Sequence, residues 1–289
     1  MKKISEVFNP SKITISGKSK IIDTSEGRFV LKKKNKDIKS LYDYLNSRSF
    51  NSFPELVDEL DDEYVYKALS EPSVPIEQKS TDMAKLLANL HTKTAYFKDV
   101  SQDKIKEIYE NIVSNISHID SYYETLFNNL EIKDVLLPSE LVLLEGRSKM
   151  KSLIEFLSNE AETWYKLVSD KTKERVVYCH NNLSIDHYIN NSFISWDNYT
   201  VDTPVLDLIN LYHNDFGKYN YSNFLDKYLK LFDLLDEEKH LLFLMISFPI
   251  PLNMGSNEMN NTINASKLFD YINETENLIR PYYTVENEE

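Results

Sequence analysis

The sequence predicts an α+β fold in two lobes, a small β-rich one followed by a larger, mainly helical one. Three observations predict it. Short runs of β-branched and aromatic residues, separated by glycine-containing turns, fill the first 70 residues. Apolar residues take up helical spacing from about Thr81 onward. A group of short apolar runs and polar loops then interrupts the helical part between 176 and 208.

In chain order, Ile13–Ser16, Ser19–Thr24 and Arg28–Lys33 read as strands, divided by Ser16-Gly17-Lys18 and Ser25-Glu26-Gly27. Asp37–Asn46 reads as a short helix with Ile38, Leu41 and Leu45 on one face. Tyr64–Leu69 is a further strand, and the prolines of Glu71–Pro75 mark a connector. The expected organisation is therefore an N-lobe over 1–70, a connector over 71–78 and a helical C-lobe over 79–289. Thr81–Thr94 opens the C-lobe with Met83, Leu86, Leu87 and Leu90 at helical spacing and Ser80 placed to cap it. Ile105–Ile116, Tyr122–Leu130 and Ser139–Val168 continue in helical register. Val176–Cys179, Tyr188–Asn190 and Phe193–Trp196 read as strands, and helices resume at Leu206–Asp215, Tyr221–Leu234, Glu237–Phe248 and Glu258–Ile279.

Composition bounds the function. A chain of 289 residues that is 42% hydrophobic, with 19 Tyr and 14 Phe, has ample material for a core without staples. The net charge of −13 argues against nucleic acid and anionic membranes as partners, because both need a basic surface. One cysteine, Cys179, excludes an intramolecular disulfide. Met1–Asn9 has no apolar core of a secretory signal, and Leu241–Leu252 is too short to span a bilayer. These features lead to the expectation of a cytoplasmic protein without membrane insertion. The acidic tail Glu286–Glu289 is expected to fray.

One stretch carries most of the chemistry: Cys179-His180-Asn181-Asn182-Leu183-Ser184-Ile185-Asp186-His187-Tyr188-Ile189, then Phe193-Ile194-Ser195-Trp196-Asp197, then Asp202-Thr203-Pro204-Val205-Leu206-Asp207-Leu208. It reads as strand, polar loop, strand, polar loop, helix, with Pro204 suited to a helix start and Asp202 to a cap. Loops rich in His, Asn and Asp and held by short strands commonly present functional groups.

That order resembles the catalytic and metal loops of the aminoglycoside phosphotransferase and choline kinase families, including bacterial spore-coat-associated kinase-like proteins. Those families read H-G-D-L-H-x-x-N, then D-[FW]-[DE], then D-x-P-x-x-D-L. His180, Leu183, Trp196, Asp197, Asp202, Pro204, Asp207 and Leu208 match. Leu87-Ala88-Asn89-Leu90-His91 resembles the L-A-x-L-H helix end, and Phe29-Val30-Leu31-Lys32 the strand bearing the phosphate-contacting lysine. The resemblance implies a bilobal protein-kinase-like fold and ATP-dependent phosphoryl transfer. The plainer reading of His180, Asp202 and Asp207 is structural, with His91 as a helix-end cap or packing residue.

The same comparison shows what is missing. Asn182 stands at the catalytic Asp, His187 at a metal-binding Asn and Ser195 at the Mg²⁺-ligating Asp. Phosphoryl transfer needs a cation on the phosphates and a carboxylate at the attacking hydroxyl, and Mg²⁺ prefers charged oxygen ligands. The anion-cradling loop offers only Gly17, and Asp37 or Asp43 rather than a Glu is available to pair with Lys32. The site residues expected to meet a nucleotide are Lys32, Gly17, Ser195 and His187. The resulting expectation is a pseudokinase that binds or scaffolds a protein partner, in spore-coat assembly if the resemblance extends that far, with no cofactor assigned. The alternative is an active ATP-dependent phosphotransferase with a displaced metal site at Asp186, Asp197 and His187. It would take Mg²⁺ or, better for imidazole, Mn²⁺, and a small hydroxylated or cationic substrate. Against these stand plainer readings: Lys32 as one of a solvated lysine cluster, Cys179 as a buried inert thiol. His118, His213 and His240 have no zinc spacing, and no G-x-S-x-G or Walker A pattern occurs.

Overall fold

Alternating apolar and polar residues in the N-terminal segments favour strands with one apolar face. The computed structural model describes residues 11–17 and 19–284. Met1–Asn9, Lys18 of the first turn and the tail Glu286–Glu289, on which expectations were placed above, lie outside the described residues. Strands β1 (Lys12–Ser16), β2 (Ser19–Thr24), β3 (Gly27–Lys33), β4 (Leu56–Glu59) and β5 (Glu63–Lys67) form an antiparallel sheet in the order β1-β2-β3-β5-β4. Ile22, Phe29, Leu31 and Val65 are buried with Leu60. The register pairs Lys32 with Tyr64 and Val30 with Tyr66, so these four share the opposite face. Gly27, at φ 131, makes the β2–β3 turn that a side-chain-bearing residue would resist.

Helix α1 (Ile38–Ser47) buries Ile38, Leu41, Tyr42 and Leu45, and the Asp37 carboxylate caps it by accepting from the Ser40 amide at 3.0 Å. Helix α2 (Ile76–Thr94) starts earlier than the apolar spacing suggests, directly after Pro75. Ser80 is therefore inside the helix, not its cap; its hydroxyl donates to the Glu77 carbonyl and is buried. A proline with φ of −56 sets the helical turn without a side-chain cap.

The chain divides into two compact units. The first comprises the described residues up to Tyr96 together with Arg175–Asp233. Besides the sheet, α1 and α2, it holds most of β7 (Lys173–Cys179), a 3₁₀ turn at Ile185–His187, and the hairpin of β8 (Tyr188–Ile189) and β9 (Ser192–Phe193). A second 3₁₀ turn at Trp196–Asn198, β10 (Thr200–Asp202), α6 (Val205–Asp215) and α7 (Tyr221–Leu229) complete it. The hairpin turn is Asn190-Asn191, both left-handed at φ 45 and 56, a conformation asparagine tolerates better than most residues.

The second unit, Phe97–Glu174 with residues from Leu234 onward, is helical: α3 (Gln102–Glu131), α4 (Pro138–Glu145), α5 (Arg147–Val168), α8 (Asp236–Ser247), α9 (Glu258–Ile279) and α10 (Pro281–Thr284). Its entering strand β6 (Tyr96–Asp99) was not legible as a strand. The segments Ile105–Ile116 and Tyr122–Leu130 form a single helix, α3, because no glycine or proline lies between them. The stretch 139–168 instead breaks at Gly146. The Phe269 ring packs there so closely that a Cβ would lie 2.0 Å from its Cζ. Ile105, Ile112, Ile116, Leu157, Trp164 and Leu244 form one core cluster, and Tyr123, Phe127, Leu143, Met150, Leu268 and Ile272 contribute to another. Among the described residues, no helix is long and apolar enough to cross a membrane.

Candidate functional site

The polar loop after β7 is built on a single buried carboxylate. Asp207, in the first turn of α6 and fully buried, accepts from the His180 amide at 2.8 Å through Oδ2 and from the Asn181 amide at 2.7 Å through Oδ1. His91, also fully buried near the end of α2, brings Nε2 to 3.2 Å from Asp207 Oδ2 and Nδ1 to 2.6 Å from the Tyr228 hydroxyl on α7. Asn181 holds φ 55 at the position where the resembling families carry glycine, and asparagine is a side chain that accepts this left-handed geometry. Farther along α6, Asn210 donates to Asn181 Oδ1, Asn214 donates to the Leu183 carbonyl, and buried Asp215 accepts from Ser184 Oγ at 2.8 Å and the Ile185 amide at 2.5 Å. One polar face of α6 thus satisfies the loop from His180 to Ile185. Asp202 does not cap α6: its carboxylate accepts from the Thr203 amide, and Pro204 precedes the first helical residue.

His180 is the loop's second anchor. Its Nε2 donates to the Ile194 carbonyl at 2.7 Å, and its ring lies edge-on to Trp196. Burial lowers its pKa to about 4, opposed by the charge of Asp207, so the ring is neutral. Its Nδ1 is buried without a partner among the described residues. The buried ring is thus held between the Ile194 carbonyl and Trp196.

Lys32 is the residue that gathers the rest. Its ammonium donates to Ser195 Oγ at 2.8 Å and to Asp197 Oδ2 at 2.9 Å. This excludes the reading of Lys32 as one of a solvated cluster, since only 19% of its side chain is exposed. Asp37 is used as the α1 cap, so Lys32 takes its counter-charge from Asp197 instead. Tyr42 of α1 and Tyr66 of β5 have their phenol pKa values raised by burial first, with the charge of Asp197 among the smaller causes, which places both near that carboxylate. Ser195 holds φ 69, a left-handed conformation costing a serine roughly 1 kcal/mol. Its neighbours impose it: the Ile194 amide donates to the His187 carbonyl, and Trp196 Nε1 donates to the Phe193 carbonyl.

The other candidates scatter. Asp186 has 79% of its side chain exposed and sits 3.6 Å from Lys218. His187 turns Nδ1 to the Asn182 carbonyl at 2.6 Å. Asn182 is half-buried. Gly17 turns β1 into β2 at φ 56, with open space around it. The trio Asp186, Asp197 and His187 does not converge. Among the described residues, the one group of three potential ligands within 4.8 Å is His91, Cys179 and Asp207. Every atom in that group already has a partner. Asp207 accepts amides, and the Cys179 thiol, pushed up by burial, is in contact with the Thr203 carbonyl at 3.3 Å. It is a hydrogen-bonded knot at the base of the loop. A cavity of about 270 Å³ lies elsewhere, beside Glu71, Lys79, Asp82, Tyr188 and Asn191, and its lysines are paired with Glu71 and Asp82.

No protein-family profile and no curated protein matches the sequence. Among solved structures, it is similar to the aminoglycoside phosphotransferase of Alicyclobacillus acidocaldarius, with a TM-score of 0.64 and 11% identity over 94% of this chain and 92% of that one. The chain has the protein-kinase-like fold of the aminoglycoside phosphotransferases. It is a bilobal α+β fold with an antiparallel sheet in the N-terminal part and mainly helices in the C-terminal part. Weaker likenesses are to AMP-bound spectinomycin phosphotransferase (TM-score 0.49, 12% identity, 99% of this chain and 93% of that one) and to the choline kinase of Streptococcus pneumoniae (0.44, 12%, 92% and 90%). The fold assignment rests on the first.

The phosphotransferase fold implies a divalent cation, and the residues present do not fit one. Ser195 Oγ and Asp197 Oδ2 already accept from an ammonium, and Asn182 and His187 bring no charged oxygen. A Mg²⁺ ion at the two oxygens would lie against the Lys32 charge. Asn210, Asn214 and Asp215 are the residues that sequence reasoning missed. Their signal was available: with Asp207 they recur at helical spacing along one face of Val205–Asp215.

Proposed function

We propose that this protein is a pseudokinase: a phosphotransferase fold with lost or much reduced transfer chemistry, acting as a binding or scaffold protein. The observation that carries this reading is the Lys32 ammonium bonded to Ser195 and Asp197. It engages Asp197, and Asn182 offers no charged oxygen to orient a hydroxyl and accept its proton. The loop framework is kept while its reactive positions are neutral, which suits a fold maintained for its surface. An N-lobe over 1–70 and a C-lobe over 79–289, joined at 71–78, belong to the same reading. So does a cytoplasmic protein partner, and a spore-coat role rests on the sequence resemblance alone. The test is turnover: the purified protein is incubated with ATP, Mg²⁺ or Mn²⁺ and a panel of hydroxylated amines, and ADP is measured. Metal-dependent turnover that Asp197→Asn abolishes would sink the proposal.

A second reading, an active phosphotransferase on a small hydroxylated or cationic substrate, is favoured by one observation: Asp197 does lie beside Lys32. In that reading Asp197 would hold Mg²⁺ or Mn²⁺ once it released the lysine. Asp186 gives it no support, being exposed beside Lys218.

A further inference from the structure

We infer that the Lys32 ammonium stands in for the divalent cation, so that the site takes a polyphosphate anion, in ATP or inorganic tripolyphosphate, without a metal ion. This deepens the pseudokinase reading and rests on it.

Three observations carry the inference. First, Ser195, at the metal-ligand position of the resembling motif, and Asp197, two residues on, both accept from one cation, Lys32 Nζ. Second, an ammonium has three N–H donors, and these two acceptors use two of them. One is left for an anion, on a side chain that is largely buried and so weakly screened.

The third is the charge balance. An intact motif would place acids at positions 195 and 197, the two that meet the lysine, leaving the metal-free site with an excess of one negative charge. That repulsion makes a cation obligatory for a polyphosphate. Here 182 is Asn and 195 is Ser, so Lys32 and Asp197 alone balance to zero. The serine at 195 that removes a metal ligand also removes the reason a metal was needed.

The experiment is isothermal titration calorimetry of the full chain with ATP and with tripolyphosphate, in EDTA and then in excess Mg²⁺. Both probes should bind in EDTA, and Mg²⁺ should weaken them by masking the phosphates. Lys32→Met should weaken binding in EDTA by about tenfold or more, with a thermal unfolding curve confirming that the variant folds. Asn182→Asp combined with Ser195→Asp should reverse the behaviour, losing binding in EDTA and gaining it with Mg²⁺. Wild-type binding only with Mg²⁺ overturns the inference, as does binding in EDTA that Lys32→Met leaves unchanged. Silence in both conditions overturns this inference alone and leaves the scaffold reading intact. Mg²⁺-dependent binding accompanied by turnover overturns both.

Discussion

The polar region from His180 to Asp197 has two sides whose groups are satisfied in different ways. The side facing α6 is fully provisioned: Asp207, Asn210, Asn214 and Asp215 satisfy its backbone and side chains, and His91 and Tyr228 lock Asp207 in turn. The side carrying Asn182 and Ser195 has no charge at those two positions, and Asp197 beside them is paired with Lys32. The contrast shows that holding a loop and making it reactive are separable tasks. Buried carboxylates that accept backbone amides are enforced by folding itself, because losing one strands several donors in a dry interior. Carboxylates that hold a metal or a substrate proton are enforced only by chemistry.

Four measurements break or sharpen that comparison. The largest effect belongs to Asp207→Ala, which strands two buried amides and the His91 ring and should lower stability by about 3–5 kcal/mol. A loss under about 1 kcal/mol in urea unfolding would show that water or rearrangement replaces it.

The pH profile comes next. An unfolded histidine takes up a proton below its usual value near 6.5, whereas folded His180 does so only near 4. The unfolded chain therefore binds more protons between those values, and stability should fall as pH drops from 6.5 towards 4, by up to roughly 3 kcal/mol. Burial lowers the pKa of His213 as well, which adds to the fall with the same sign. His180→Gln keeps a donor for Ile194 without titrating, and it should flatten much of the slope; an unchanged slope would assign it elsewhere.

Asp215→Ala should cost about 2 kcal/mol, since it leaves the Ser184 hydroxyl and Ile185 amide without their acceptor. Its exposed partner Lys218 adds little to that figure. The smallest effect is Asp186→Asn, expected to change stability by less than about 0.5 kcal/mol and to leave ATP titrations unaltered. A clear loss of nucleotide binding in that variant would return Asp186 to the list of working acids and erase the contrast between the two sides.

Much of this was legible before any coordinates. The ordered motif already singled out Asp207 and His180, and the three first strands follow from β-branched runs between glycine turns. Helix Glu258–Ile279 has the bounds its apolar spacing suggests. Local signals misplace the start of α2, where a connector proline rather than Ser80 sets the first turn. They also miss β4 and β6, each four residues long and without a distinctive pattern of its own.

What the sequence by itself determined is which side chains stand at each position: no fold can put a carboxylate at Asn182 or Ser195. It also determined most of the helices and the first three strands, because helix and strand periodicity are local properties of the chain. Only the tertiary structure decided where the remaining charges go. Asp197 and Asp186 are alike in sequence, an acid in a polar loop, yet one meets Lys32 from a strand 165 residues away and the other stands in solvent. A partner that distant in sequence leaves no periodic trace. Its choice depends on how the sheet and the loop pack, and only then on the attraction between opposite charges, which acts over a few ångströms.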